Sequence, residues 1–150
     1  MNIDISGPWQ RRQIDQYLAR TRLPIRLACV AEDGFPRVVS VWYRYADGVF
    51  YCATHRDSQL ARMVQRNPRV GFEVSTNEPP YFGVRGQGLA ELSREGGEDT
   101  LRALIDRYLG SSNASLGRWL LSRSDEELLL RVEAQRFYSW DYRKRMESVA

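Results

Sequence analysis

The feature that most constrains the fold of this chain is a series of β-prone runs separated by turn residues. Residues 25–32 are apolar and β-prone, Asp33-Gly34 follows them, and residues 37–45 are dense in β-branched and aromatic side chains. Asp47-Gly48 marks a second turn before a third run at residues 49–54. Asp-Gly turns between such runs are typical of antiparallel hairpins, so the three runs predict a three-stranded meander. The same criteria predict further strands at residues 69–75, 81–92, 128–133 and 137–142.

Helical spacing of apolar residues occurs between these strands and before the first of them. The expected helices are a stretch between Pro8 and Pro24, a short segment that Asp57 or Ser58 caps and Asn67-Pro68 ends, residues 97–109, and residues 116–121. Within residues 81–92 apolar and polar side chains alternate, and Gly86 and Gly88 on the apolar side permit a close approach of another backbone. Six or more mainly antiparallel strands with peripheral helices predict an all-β barrel, in one domain over residues 1–150.

Composition restricts the partners that this chain can have. Its 150 residues carry 22 basic and 19 acidic side chains, and the basic ones are scattered rather than clustered, so we expect no nucleic acid partner. No apolar run approaches the about 20 residues that span a bilayer, and no signal peptide is visible. We therefore expect a cytoplasmic protein without a membrane partner. Lys144 is the only lysine, so a bound anion must be held by arginine, hydroxyl groups or backbone amides.

The chain offers little catalytic chemistry of its own. It contains no GxSxG, P-loop, HExxH or strand-linked GxGxxG pattern. His55 is the only histidine, which excludes a histidine-rich metal site, and no residue can be assigned as a catalytic acid, base or nucleophile. Cys29 and Cys52 are too far apart for a CxxC motif and are expected to be reduced thiols. An enzymatic role would therefore depend on a borrowed cofactor and not on a metal.

The most informative stretch runs from Thr54 to Gln59, where a predicted strand ends and a short helix begins. The first amides of a helix lack internal acceptors and carry partial positive charge, so this place can hold a phosphate. Thr54 and Ser58 add hydroxyl donors, and Arg56 or Arg62 could add charge. The alternative is an ordinary helix cap with arginines that face solvent. The local sequence leaves both interpretations open.

Short motifs follow one another along nearly the whole chain in an informative order. They are Asp33-Gly34-Phe35-Pro36-Arg37 before a Val-Val-Ser-Val-Trp-Tyr strand, Val49-Phe50-Tyr51-Cys52-Ala53-Thr54 before Ser58 and its helix, Arg66-Asn67-Pro68-Arg69-Val70, the run from Val84 to Glu91, and Tyr138-Ser139-Trp140-Asp141. This order resembles the pyridoxamine 5'-phosphate oxidase-like, FMN-binding split-barrel family. The resemblance implies a split barrel that forms a homodimer, with two cofactor sites at the dimer interface.

The resemblance also implies a set of cofactor contacts. Arg37, Val38, Val39, Ser40 and Trp42 would lie along the flavin, Thr54, Ser58 and Gln59 would meet the phosphate, and Trp140 would come from the partner subunit. Trp42 and Trp140 fit ordinary barrel or interface packing equally well. Many family members carry a basic pair after the serine, whereas this chain has Gln59-Leu60. Either Arg56 or Arg62 compensates, or binding is weak, or the ligand differs.

The expected function is therefore that of an FMN-dependent oxidoreductase that transfers a hydride or electrons to a small organic substrate. One alternative keeps the fold and uses a deazaflavin, whose longer acidic tail would need an arginine-lined groove. Another alternative is a protein without turnover that binds flavin or haem. His55 is then the only histidine available as an axial haem ligand.

Overall fold

The computed structural model describes residues 2–147, and within that range eight strands form one sheet. The strands are β1 (Asp4–Ser6), β2 (Ile25–Val30), β3 (Pro36–Val41), β4 (Arg44–Ala46), β5 (Val49–His55), β6 (Arg69–Ser75), β7 (Phe82–Ser93) and β8 (Glu127–Asp141). The helices are α1 (Arg11–Arg20), α2 (Gln59–Arg66), α3 (Gly97–Tyr108), α4 (Ala114–Leu121) and α5 (Arg143–Glu147). The strand order is β3-β2-β6-β7-β8-β5-β4, with β1 parallel to β8 and all other pairs antiparallel. The predicted set of six or more mainly antiparallel strands is confirmed.

One face of the sheet forms the core because apolar residues alternate along the strands. In β2, for example, Ile25 and Leu27 have no exposed surface, while Arg26 and Ala28, which alternate with them, are only partly buried. The centre of the core is aromatic. The ring centroid of Phe72 lies 4.9 Å from that of Phe50 and 5.8 Å from that of Phe137, in tilted and edge-on arrangements that aromatic rings favour.

Both hairpins of the predicted three-stranded meander are present, but its middle strand is divided. The run at residues 37–45 is interrupted at Trp42 and Tyr43 and forms two strands, β3 and β4. β3 pairs with β2, whereas β4 pairs with β5, which pairs on its other side with β8. The interruption has a tertiary cause: Tyr43 is fully buried, and its hydroxyl donates to the carbonyl of Leu18 at 2.8 Å. Such a contact overrides local β propensity.

The two strands predicted at residues 128–133 and 137–142 are wrong, because they form the single strand β8. The polar residues between the two runs contain a β-bulge instead of a turn. Gly88 of β7 pairs with Ala134 and Gln87 pairs with Arg136, so Gln135 is an extra residue on β8. β8 pairs with β1, β5 and β7, and it therefore joins the two halves of the sheet.

The four predicted helices are present as α1 to α4, and the short elements β1 and α5 have no counterpart in the prediction. α1 packs against the core through Ile14 and Leu18, which have no exposed surface. α2 follows β5 after a three-residue turn and buries Leu60, Met63 and Val64. Among residues 2–147, no helix has both the length and the apolar character required to cross a membrane.

Candidate cofactor site at the start of helix α2

The turn between β5 and α2 brings two hydroxyl groups into contact. Ser58 is the N-cap of α2, and its Oγ accepts a hydrogen bond from the Ala61 amide at 3.0 Å. Thr54 Oγ1 lies 2.7 Å from Ser58 Oγ, and the Thr54 side chain is almost fully buried. Ser58 Oγ can accept from both neighbours and still donate its own hydrogen, because a hydroxyl oxygen has two lone pairs. The predicted Ser58 cap is therefore present, and its hydroxyl hydrogen can serve a ligand when Thr54 donates between the two hydroxyls.

A groove of about 490 Å³ lies between α2 and the start of β3. Its lining includes Glu32, Asp33, Arg37, Gln59, Arg62 and Arg66. Arg37 extends from β3 to the start of α2, where its guanidinium donates to Gln59 Oε1 at 3.1 Å. The amides of Gln59 and Leu60 are the first two of α2 and have no acceptor one turn earlier in the helix. The groove therefore combines guanidinium groups with Gln59, whose amide is one of the free donors at the start of the helix.

Arg62 is the arginine of the groove with the fewest bonding partners. It lies four residues after Ser58 on the same face of α2. Within residues 2–147 its guanidinium makes no ion pair and no side-chain hydrogen bond. Neither acidic residue of the groove pairs with Arg62: Glu32 Oε2 lies 3.5 Å from Arg66 Nη1, within the groove, and Asp33 Oδ1 accepts from the Phe35 amide at 3.1 Å. Arg62 is thus available to an anion in the groove.

Arg56 points away from this groove. Its Nη2 lies 3.5 Å from Glu126 Oε1, and its Nε lies 4.0 Å from Asp57 Oδ2. Glu126 belongs to the 3₁₀ turn Ser124–Glu126 that precedes β8. Of the two arginines that the sequence offered for a phosphate, the structure brings Arg62 to the groove and leaves Arg56 outside it.

His55 is held by the same acidic residue. Its Nε2 lies 2.6 Å from Glu126 Oε2 and 2.9 Å from Arg123 Nη2, while its Nδ1 accepts from the Asp57 amide at 3.1 Å. The Asp57 amide can only donate, so Nδ1 accepts there, and Nε2 is the ring atom that faces both the Glu126 carboxylate and the Arg123 guanidinium. The hydrogen bond between His55 and Glu126 lowers the pKa of the Glu126 carboxyl. Both ring nitrogens are therefore in use.

The other residues predicted from β3 divide between the two faces of the sheet. Val38 and Ser40 are exposed on the outer face, whereas Val39 packs against the core from the inner face. Trp42 follows β3 and stacks on Tyr108 of α3, with ring centroids 5.2 Å apart and planes 6° apart. One face of the indole is therefore used in packing within the chain.

Trp140 lies at the opposite end of β8 from the α2 groove. β8 begins at Glu127, which pairs with His55 beside α2, and Trp140 is the penultimate residue of the strand. A strand rises about 3.3 Å per residue, so about 40 Å of strand separates the two ends. Trp140 and Ser58 of one chain do not meet.

Arg66 lines the groove but was not predicted from the sequence. Ser58, Arg62 and Arg66 are spaced four residues apart, so they share a face of α2. This spacing is visible in the sequence, and a search for it would have found Arg66. The contact between Arg37 and Gln59 had no such signal, because it joins two elements that only the folded sheet brings together.

Comparison with known proteins identifies several relatives of this structure. A search of curated proteins finds no match. A conserved hypothetical protein from Mycobacterium tuberculosis matches with a TM-score of 0.77 and 26% identity, over 93% of this chain and 89% of that chain. An F420 reductase matches at 0.66 and 24%, over 81% and 94% of the two chains. An FAD-binding protein from Mesorhizobium loti matches at 0.62 and 20%, over 87% and 93%.

The last two similarities show a shared fold, and a family model extends the evidence to the sequence itself. The model for pyridoxamine 5'-phosphate oxidase matches residues 12–141, from the first turn of α1 to the end of β8. That range includes β3, β5 and α2, and hence the whole groove. The expected split barrel is confirmed by the eight-stranded sheet and its structural neighbours. It follows that this chain belongs to the pyridoxamine 5'-phosphate oxidase-like split-barrel family.

Proposed function

We propose that this protein is an oxidoreductase that binds FMN through its phosphate at the start of α2 and transfers a hydride or electrons to a small organic substrate. The observation that carries the proposal is the convergence of Arg37 and Arg62 on one groove beside the Ser58 cap. Membership in the family supports a flavin-type cofactor. The F420 reductase and the FAD-binding protein among the structural neighbours point in the same direction.

A phosphate matches the donors of this groove. Arg37 and Arg62 line the groove, and the Ser58 hydroxyl and the first amides of α2 belong to the adjoining start of the helix. A phosphate placed between them would accept charge-assisted hydrogen bonds, which are the strong ones. Arg37 would supply the charge that many family members have directly after the serine. Gln59 occupies that position here and accepts a hydrogen bond from Arg37, which holds the guanidinium at the helix start.

The chemistry of the proposed reaction belongs to the cofactor. Bound FMN would accept and donate the hydride or electrons, as flavins do in general. Among the residues that the structure describes, no histidine, cysteine or tyrosine lines the groove. The role of the chain at this groove is therefore to bind and orient the phosphate end of the cofactor, and we assign no catalytic residue there.

A deazaflavin is the second candidate, and Arg66 favours it. The groove continues along α2 past Arg62 to this third guanidinium, which an acidic tail longer than a single phosphate could reach. Denaturation of the purified protein and absorbance of the released ligand distinguish the two cofactors. FMN gives two oxidised flavin bands in the blue and near-ultraviolet, whereas a deazaflavin gives a single blue-shifted band.

Haem binding is not supported by the surroundings of His55. To coordinate iron, a ring nitrogen would have to leave either Glu126 or the Asp57 amide. A charge-assisted hydrogen bond such as that to Glu126 is worth about 1.5–3 kcal/mol. A Soret band in the purified protein would contradict this view.

Substitution of the groove arginines, with Arg56 as the matched control, tests the proposal. Arg62→Met and Arg37→Met should each weaken FMN binding about tenfold or more, because each removes a charged donor worth about 1.5–3 kcal/mol. Arg56→Met removes the same charge from the same turn but outside the groove, and should leave the affinity nearly unchanged. Calorimetric titration with FMN measures all three. If the Arg56 variant loses as much as the Arg62 variant, or if neither groove variant loses affinity, the phosphate does not bind in this groove.

A further inference from the structure

A second cavity, of about 500 Å³, lies between α1 and the start of β7. Its lining includes Trp9, Gln16, Tyr17, Arg20, Phe82 and Arg143. Its volume falls within the range of about 300–1,000 Å³ that small-molecule sites occupy. The α2 groove shares none of these residues.

Three aromatic rings form the wall of this cavity. The Trp9 centroid lies 5.1 Å from that of Tyr17 and 6.2 Å from that of Phe82, and the latter two are 6.0 Å apart. The polar atoms of the rings already have partners: Trp9 Nε1 donates to Asp141 at 3.3 Å, and the Tyr17 hydroxyl donates to the Val74 carbonyl at 3.2 Å. The rings therefore offer apolar faces and edges to a ligand, and burial, which raises the pKa of Tyr17 to about 12, keeps its phenol neutral.

The N-terminal segment holds this wall in place. Gly7 has a φ of +92°, and a Cβ at this position would meet the Ser139 carbonyl oxygen and lie 2.7 Å from Ser139 Oγ. Two residues later, the Trp9 amide donates to the same Oγ at 3.0 Å in a buried hydrogen bond. Trp9 is thus positioned by the backbone, so little ordering is needed when a ligand binds.

The rim of the cavity is positively charged. Arg20 ends α1 and is exposed, and within residues 2–147 its guanidinium makes no ion pair or side-chain hydrogen bond. Arg143 pairs with Asp141 at 2.6 Å and lies over the Phe82 ring, 4.2 Å from its centroid. Among the described residues that line the cavity there is no aspartate or glutamate. The cavity therefore combines an aromatic wall with one guanidinium, that of Arg20, that has no ion-pair partner among the described residues.

We propose that this cavity binds a small aromatic carboxylate, with its ring against Trp9, Tyr17 and Phe82 and its carboxylate at Arg20. A planar carboxylate matches a single guanidinium in a bidentate manner. The site is separate from the proposed cofactor groove, because β6 starts at Arg69 just after α2 and ends at Ser75 next to the cavity residue Thr76. That strand spans about 20 Å. The inference therefore goes beyond the proposed function and does not depend on it.

Calorimetric titration with 2-naphthoate tests this site, with 2-naphthylmethanol as the neutral analogue of the same shape. Arg20→Gln should weaken naphthoate binding about tenfold, the equivalent of one charged hydrogen bond, and should leave the weak binding of the alcohol unchanged. Arg12→Gln is the matched control. It removes the same charge from an exposed position of the same helix that does not line the cavity, and should have no effect.

Three results would overturn the inference. They are no binding of naphthoate to the wild type at millimolar concentration, equal affinity for naphthoate and the alcohol, and equal behaviour of the Arg20 and Arg12 variants. A fourth arm separates this site from the cofactor groove. Arg62→Met should leave naphthoate affinity unchanged, and a loss as large as that of Arg20→Gln would mean that the carboxylate binds in the α2 groove instead.

Discussion

At the scale of single residues, Ser58 combines two roles that an alanine substitution would remove together. Its Oγ caps α2 through the Ala61 amide, and the same hydroxyl is proposed to meet the cofactor phosphate. Loss of an N-cap costs about 1 kcal/mol of stability. A lower FMN affinity of Ser58→Ala would therefore have two possible causes.

Ser58→Asp separates the two roles. Aspartate caps helices about as well as serine, so we expect a melting temperature close to that of the wild type. Its carboxylate would repel a phosphate at the same place, at a cost of about 1–4 kcal/mol at 4 Å, and FMN affinity should fall about tenfold or more. Riboflavin lacks the phosphate and should bind as before. Titration with both flavins measures this, and a parallel loss for the two would mean that Ser58 does not face the phosphate.

How much of the site could be predicted depended on whether the contacts were local. Ser58 was predictable because an N-cap is encoded within one turn of sequence. The choice between Arg56 and Arg62 was not, because Glu126, which draws Arg56 away from the groove, comes from the turn before β8. Arg37 reaches Gln59 only because the β2–β3 hairpin folds beside α2. The positions of the charged side chains in this site therefore depend on contacts between elements that are distant in sequence.

At the scale of elements, β7 and β8 approach each other so closely at Gly86 that a larger residue there should lower the free energy of unfolding. A Cβ at Gly86 would meet the Arg136 carbonyl oxygen and lie 2.6 Å from Phe72 Cζ, whereas a Cβ at Gly71 would make an ordinary 3.6 Å contact with Ala28 Cβ. Gly86→Ala should therefore cost about 1–3 kcal/mol of unfolding free energy, as overpacking does. Gly71→Ala, also in a strand of this sheet, should change it by less than about 0.5 kcal/mol. Urea denaturation compares them, and similar costs would show that β7 and β8 can separate easily.

The errors in the predicted strands have the same origin as those in the site. The sequence through Trp42 and Tyr43 is uniformly β-prone, yet β3 ends there, where the buried Tyr43 side chain donates to the Leu18 carbonyl and the Tyr43 amide donates to the Tyr108 hydroxyl. In β8 the opposite occurred: two runs that were predicted as separate strands form one continuous strand, with a bulge at Gln135 between them. Alternation and turn residues predicted which segments are extended, but pairing depended on long-range contacts.

At the scale of the whole molecule, the outer face of the sheet exposes apolar side chains near one another. Val38 is 65% exposed on β3, Phe35 is 71% exposed in the preceding turn, and Val30 is exposed on β2. A depression of about 460 Å³ lies beside them, lined in part by Ala28 and Gly71. Because such a patch is costly in water and two-fold association is the commonest way to cover it, we propose that the protein is a homodimer through this face.

Light scattering tests the homodimer. The wild type should have twice the 17.4 kDa mass of one chain, and Val38→Asp should shift it towards the monomer by placing a charge in the apolar face. Trp119→Ser is the control, since Trp119 is 58% exposed on α4 and lies outside this face. A monomer at micromolar concentration with cofactor present would contradict the homodimer. A dimer that Val38→Asp leaves intact would contradict the proposed face.

The central claim is that a flavin-type cofactor is held by its phosphate at the start of α2. The most direct test compares the affinity of the wild type for matched chromophores with and without phosphate: FMN against riboflavin, and a deazaflavin cofactor against its phosphate-free core. We expect the phosphate-bearing member of at least one pair to bind about a hundredfold more tightly, because its phosphate accepts two or more charged hydrogen bonds that the other member lacks. Equal affinities within both pairs, or no binding of any of the four compounds, would contradict it.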